Sequence, residues 1–367
     1  MIVPKLNGLH CAVAAIEGDI DPAWDSLVEG TPGGDLAQTT LWAASRRALG
    51  FRCYRIAVTK AGQKLVGGCL LYAKRVFSGV WAGSIPRGPL VFVNIPEAAL
   101  ATVQEALALA QREGIFFLAI QPPENHPNVE DVLVSAGFRL GVPSLAPEAT
   151  LRLDLRRADE ELLAAMSPVR RRNIRKALRA QFEISEEQDI ELFHRLYVMS
   201  AERQGFLPLT LRNLRAQWEA LAPGAKCSIL IARHKASPVA GFWLTWFAGT
   251  VTTKLAGWDK AKAPAHANEA LEWAAIQWAR ASGAHTYDQG GFDRRSAETI
   301  LAGMPLEEGF HKTPSYFKLG FGGQPILLPK ARFKFTPRLA DTALGPVASR
   351  FLTSHTARRI AHRMRSG

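Results

Sequence analysis

Lys318 stands in the run Ser315-Tyr316-Phe317-Lys318-Leu319-Gly320-Phe321-Gly322-Gly323, a cation set among aromatics and glycines. Read as a strand, the run puts Tyr316, Lys318 and Gly320 on one face and Phe317, Leu319 and Phe321 on the other. An ammonium anchored rigidly in that way over a cleft could serve catalysis or ligand binding. The same pattern fits a surface lysine whose stem covers apolar area. Upstream, His285 to Asp288 reads as a short buried strand that leaves through Gly290-Gly291, where the backbone must turn sharply or approach another segment. Asp288 at that strand end is a candidate general base and equally a turn-capping group. No spacing supports His266 or His311 as a base, and both read equally as surface histidines.

Other residues could hold a substrate. Arg46, Arg87 and Arg212 could each grip a phosphate or carboxylate bidentately. Trp258 could stack on a sugar or base. Between Ser167 and Arg179, six cations stand in thirteen positions. Pro168 there suits a first helical turn. On a helix these cations cover most of the circumference, so Arg171, Arg172, Arg175 and Lys176 are candidates for contact with a polyanion backbone, against the alternative of a merely solvated basic helix. The segment from Lys330 to Gly367 adds nine Lys or Arg against the single acid Asp341, with Arg358, Arg359, Arg363 and Arg365 near its end. It is expected to pack back on the first domain, with disorder in about the last ten residues.

These residues need a platform, and the chain is long enough for two domains: 367 residues, 47% hydrophobic and 21% charged. With 45 Lys and Arg against 33 Asp and Glu the net charge is +12, which suits RNA, DNA, a nucleotide diphosphate or an acidic membrane surface. The first residues lack the pattern of a signal peptide, and no apolar run approaches the roughly 18 to 20 residues of a membrane span. A cytoplasmic protein is expected. Cys11, Cys53, Cys69 and Cys227 are scattered in apolar runs, reading as small buried hydrophobes without disulfide or zinc spacing; neither metal nor cofactor is expected.

In order along the chain, a strand over 9–18, helices over 22–28 and 38–49, and a hairpin of Arg52–Thr59 with Lys64–Ala73 across Lys60-Ala61-Gly62-Gln63 are followed by sheet over Trp81–Phe92. A helix over Pro96–Arg112, a strand over Ile115–Gln121 and a helix near Val129–Ala136 complete this half. The second half repeats the order. Arg52 to Val58 is echoed by Lys226 to Ala232, an offset of 226 − 52 = 174, and Gly114 after its helix by Gly283, an offset of 283 − 114 = 169. Two offsets so close indicate a duplicated α/β unit.

Hairpin, long strand, helix, buried strand, helix is an order that resembles the GNAT (acyl-CoA N-acyltransferase-like) fold. Two copies in tandem resemble the Fem family of aminoacyl-tRNA-dependent peptidyltransferases. Gln38, Trp42 and Arg46 resemble that family's early helix; Ile85-Pro86-Arg87-Gly88-Pro89-Leu90 resembles its PRGP strand, and Arg172-Asn173-Ile174-Arg175-Lys176-Ala177 its basic helix. Tyr287-Asp288, then Tyr316-Phe317-Lys318 and Phe321-Gly322, are similar to its closing signature.

The resemblance implies an α/β fold of two tandem GNAT-like domains with mixed sheets flanked by helices, over residues 1–155 and 156–324, with 325–367 as the basic C-terminal segment. It implies an active cleft in the second domain, with Phe317 and Lys318 there and the lysine aiding transfer. Aminoacyl-tRNA as donor, a nucleotide-linked or lipid-linked peptide precursor as acceptor and peripheral membrane contact are the implied partners. Three features depart from the family: Gln121-Pro122 replaces an Asp-Pro, the long coiled-coil arm of some members is missing, and Trp258 stands where a tyrosine is frequent. Two rival functions remain open. One is a double-GNAT acyltransferase using acyl-CoA in envelope polysaccharide assembly, which lacks its usual Q/RxxGxG/A loop here; the other is a noncatalytic RNA-binding module, which lacks RNP-type aromatic motifs.

Overall fold

The computed structural model describes residues 8–351, apart from 62–63, 78, 94, 96, 142–144 and 181. Gly62 and Gln63 of the expected hairpin loop, Pro96 of the expected helix, and Arg358, Arg359, Arg363 and Arg365 lie outside the described residues. The chain forms two units, Met1–Ala146 with Pro329–Gly367, and Pro147–Leu328.

Unit 1 begins with β1 (Leu9–Ala15), α1 (Pro22–Glu29), α2 (Thr40–Ala48), β2 (Arg52–Lys60), β3 (Lys64–Phe77), β4 (Val80–Pro86) and β5 (Leu90–Val91). It continues through α3 (Glu97–Arg112), β6 (Ile115–Gln121) and α4 (Pro127–Ser135). Ala, Leu, Glu and Gln dominate α3, residues that lose little on entering a helix, and Gly114 follows it at φ 65°. Ala98, Ala106, Leu109 and Ala110 of α3 are buried, as are Ile56, Leu71, Ile85, Leu118 and Ile120 of the strands. Each fully buried Leu or Ile of this kind contributes roughly 1.5–3 kcal/mol.

Unit 2 holds β7 (Ala149–Asp154), α5 (Asp159–Ala165), α6 (Pro168–Arg179), β8 (Glu183–Glu187), α7 (Ile190–Gln204), α8 (Leu211–Leu221), β9 (Cys227–His234), β10 (Ser237–Phe247) and β11 (Thr250–Trp258). After these come α9 (Ala267–Ala281), β12 (Thr286–Gly291), α10 (Arg294–Leu301), α11 (Pro314–Leu319) and β13 (Gln324–Leu327). The chain then re-enters unit 1 through β14 (Arg332–Phe335) and α12 (Arg338–Phe351).

The sheets repeat one plan. In unit 1 the strand order is β1-β2-β3-β4-β6-β14, with β5 beside β3; in unit 2 it is β8-β9-β10-β11-β12-β7-β13. Each sheet has one parallel pair joined by a helical crossover, β4 with β6 and β11 with β12. An antiparallel strand follows in each, β14 on β6 and β7 on β12.

The expected boundaries at 155 and 324 move for a definable reason. β7 hydrogen-bonds β12 and β13, so Ala149–Asp154 belongs to the second sheet. Leu328 N still donates to Glu148 O, which keeps the chain in unit 2 up to the return at Pro329. No helix among the described residues is long and apolar enough to cross a membrane.

Candidate active site

Strand β12 ends in an irregularity that shapes the site. Its pairing with β7 shifts register between Asp288 and Gly291. Gly290 lies there at φ +72°, and a Cβ on it would meet Thr253 O at 2.4 Å; only glycine accepts both conditions without strain. Asp288 Oδ1 takes hydrogen bonds from Gly290 N at 2.7 Å and from Thr150 Oγ1, and Oδ2 takes one from Arg152 Nε at 3.1 Å. Its carboxylate therefore pins the turn, as the turn-capping alternative for Asp288 expects.

Lys318 sits on a helix, contrary to the strand expected. Thr313 caps α11 by accepting Tyr316 N at 3.2 Å, and Pro314 occupies the first turn, a pairing that starts helices efficiently. At helical spacing Phe317 and Phe321 share a face. Their rings meet at 5.2 Å, with Phe321 fully buried. Lys318 points elsewhere, and its Nζ donates to Gly291 O at 2.8 Å. The structure thus brings Phe317, Lys318 and the Asp288-pinned turn together.

Arg170 supports α11 from α6. Its guanidinium lies 4.3 Å from the Phe317 ring centre, its Nε donates to Phe317 O at 3.3 Å and its Nη1 donates to Glu269 Oε1 at 2.8 Å. Asn173 Nδ2 donates to the same Glu269 oxygen at 2.9 Å. Of the basic run, Arg170 is therefore a packing residue, while Arg172, Arg175 and Lys176 are exposed. Arg171 is half-buried, with its Nη1 on Ala164 O at 2.8 Å.

Behind β12 lies a polar cluster that the sequence reading missed. Glu272 of α9 is 4% exposed and accepts Gln289 Nε2 at 2.7 Å, and Tyr287 Oη pairs with Thr253 Oγ1 at 2.6 Å. Burial raises the Glu272 carboxyl above the ordinary glutamate value, opposed by the Gln289 hydrogen bond, the Lys318 charge, a Tyr287 hydrogen bond and the Arg170 charge. Burial also lifts the Tyr287 phenol well above its usual value, with the Glu272 charge adding to the shift. Lys318 is pulled down from the ordinary lysine value by burial, and the carboxylates of Glu272 and Asp288 oppose that shift. A signal for the cluster existed in the sequence: Glu269, Glu272, Ile276 and Ala279 recur at three and four residues along α9, placing two acids on an apolar stripe.

The remaining candidates lie elsewhere. Arg46 and Arg87 belong to unit 1 and are 5% and 6% exposed. Arg46 lies 4.5 Å from the Trp42 ring centre and 5.6 Å from that of Phe51, and burial lowers its guanidinium to about 10. Arg87 adopts φ 55° and reaches Asp35 at 4.0 Å. Gln38 ties that loop to β3, donating to Pro86 O at 2.7 Å and accepting Leu70 N at 2.7 Å. In unit 2, Arg212 is exposed on α8, and one face of Trp258 is covered by Arg203 at 4.4 Å. His266 is the residue before α9, half-buried at φ 72°, and His311 is exposed.

Chemically, the unit 2 site offers a partly desolvated ammonium on a short rigid helix, beside a pinned strand end and above a buried acid. Such a group can stabilise developing negative charge with little reorganisation.

Comparison with known proteins gives matches in both units. A FemAB family model matches residues 23–130, and an acetyltransferase (GNAT) domain model matches residues 168–297. Lipid II:glycine glycyltransferase of Staphylococcus aureus (strain MRSA252) is 26% identical over 221 residues, 57% of this chain and 52% of that protein. The chain thus spans about half the length of the curated relatives it matches. Among solved structures, FemX superposes with TM-score 0.72 at 18% identity, over 88% of this chain and 97% of FemX. A tandem GNAT protein from the clavulanic acid biosynthesis pathway gives TM-score 0.55 at 14% identity, over 89% and 98%. L-PGS from Bacillus licheniformis gives 0.53 at 14% identity, over 96% and 99%. At these identities the superpositions show the fold: two tandem GNAT-like units.

Proposed function

We propose that the chain, matched by the FemAB model in one unit and the GNAT model in the other, is a Fem-type aminoacyltransferase acting through unit 2. It moves an amino acid from aminoacyl-tRNA to an amine of a peptidoglycan precursor or related peptide. The observation that carries this reading is Lys318, held by α11 with its Nζ 2.8 Å from Gly291 O beside the turn of β12. Similarity to a lipid II-modifying glycyltransferase supports the acceptor class.

The reaction needs placement and charge more than an activating group, because the donor ester is already reactive. The acceptor nitrogen attacks the ester carbonyl; the C–N bond forms, the bond to the ribose oxygen breaks, and the proton lost by nitrogen ends on the released ribose hydroxyl. Orientation alone lowers such barriers by roughly 7–11 kcal/mol in the best aligned cases. The Lys318 ammonium stabilises the oxyanion or hands a proton to the leaving oxygen. Phe317, fixed between Phe321 and Arg170, holds the lysine's helix in place. Exposed Arg172, Arg175 and Lys176, with Arg171 beside them, meet the nucleic-acid backbone, so affinity for tRNA falls as salt rises. Arg212 and Trp258 serve the acceptor.

Acyl-CoA is the less suited donor. In α9, the helix after β11, the first turn holds the buried carboxylate of Glu269, bound by Arg170 and Asn173. A helix start already carrying an anion is a poor seat for pyrophosphate. Purified protein incubated with charged tRNA and a nucleotide-linked precursor should form an amide product whose appearance RNase abolishes. Release of CoA thiol from acyl-CoA without that product would overturn the proposal.

A further inference from the structure

Among the described residues of unit 2 the buried acids are Asp259, Glu269, Glu272 and Asp288, and Asp259 has Lys262 at 3.9 Å. Glu269 has Arg170 at 2.8 Å, and Asp288 has Arg152 at 3.1 Å. Glu272, 4% exposed, takes its hydrogen bond from the neutral amide of Gln289. Gln289 gives its amide N–H to this carboxylate while its Oε1 stays buried without a partner. A carboxyl so far out of water stays ionised only with a counter-charge nearby. Across β12, Lys318 is the complementary case. Its Nζ hydrogen-bonds the carbonyl of Gly291 at 2.8 Å and lies 4.0 Å from where a Cβ on Gly290 would sit, one and two residues past Gln289.

We propose that Glu272 is the counter-ion and positioning residue of Lys318: held by Gln289, its carboxylate supplies the charge that keeps the Lys318 ammonium at the end of β12, where Gly291 O takes its hydrogen bond. The charged and titratable groups around the pair are Asp288 and Tyr287 on β12 and Arg170 on α6, whose effects enter the same balance. The catalytic consequence rests on the aminoacyl-transfer reading given above; the pairing itself does not. Because Glu272 acts through Lys318, its loss changes the protonation of another side chain, which a purely structural role in the core does not.

Competitive labelling of the full chain with acetic anhydride across pH, read by mass spectrometry at Lys318, tests this without a substrate. Glu272→Gln removes the charge and keeps the shape. Lys318 should then become more reactive at a given pH below its titration, by about tenfold for each unit by which its profile moves to lower pH. An unchanged profile, or one moved to higher pH, overturns the proposal. Should Glu272→Gln fold poorly, the cost of Glu272→Asp is compared with and without Lys318→Met. A smaller destabilisation in the Met background supports the pair, and equal destabilisation in both overturns it. A shifted labelling profile in a protein that transfers nothing from tRNA would condemn the functional reading alone, whereas active transfer with an unshifted profile would condemn this inference alone.

Discussion

Burial sets the behaviour of single side chains here, and the thiols show it cleanly. Cys53, Cys69 and Cys227 are buried while Cys11 is exposed. Loss of solvent pushes Cys53 and Cys227 up to about 12 and Cys69 higher still. Since the thiolate is the reactive form, native protein at pH 8 should show one thiol reactive toward a disulfide reagent, and four after denaturation. Burial and nearby Glu105 also raise Cys11, so that one thiol should react more slowly than a free cysteine. A second thiol reacting at the rate of Cys11 in native protein would refute this. The same physics acts on Arg170: a sequence window counts it with five other cations, yet Glu269 and the Phe317 ring draw it inward while Arg172, Arg175 and Lys176 stay exposed. Composition registers the number of charges; which of them faces water depends on a helix phase set by Ile174 and Ala177, the buried side of α6.

At the scale of elements, the site depends on two short pieces, the end of β12 and helix α11. Gly290→Ala should destabilise unit 2 because the left-handed conformation costs about 1–2 kcal/mol for an L-residue, and the clash with Thr253 O adds to it. Urea denaturation measures this, and a midpoint equal to wild type would contradict the account of the turn. The paired glycines, the helix before them and the buried strand were legible in sequence because glycine punctuation and apolar runs are local signals. The placement of Lys318 was not read correctly. Alternation of large and small residues from Ser315 to Gly323 imitates a strand, and the Thr313-Pro314 start signal that makes it a helix carries fewer residues than the pattern it overrides. Glu272 and Gln289 were missed for another reason, since only the crossing of α9 over β12 brings residues 17 apart to 2.7 Å.

For the whole chain, the duplicated strand order was visible in the near-equal offsets of its echoes, whereas the source of the antiparallel strand beside β6 and beside β12 was not. Unit 2 takes that strand, β7, from before its helices, and unit 1 takes β14 from near the end of the chain, a long-range pairing that no local window reports. Phe333 of β14 stacks on Phe117 of β6, Phe335 meets the same ring edge-on, and Gln121 Nε2 donates to Pro329 O at 2.8 Å. Ending the chain at Leu328 should therefore strip hydrogen-exchange protection from Ile115–Gln121 while Thr286–Gly291 in unit 2 keeps its own; equal loss in both would contradict the division into units. The measurement that bears most directly on the central claim is the single-turnover rate of aminoacyl transfer from charged tRNA by wild type and Lys318→Ala, alongside their unfolding midpoints. The account predicts a rate lower by at least about tenfold, near 1.4 kcal/mol of transition-state stabilisation, with the midpoint little changed. A variant that transfers at the wild-type rate would contradict it.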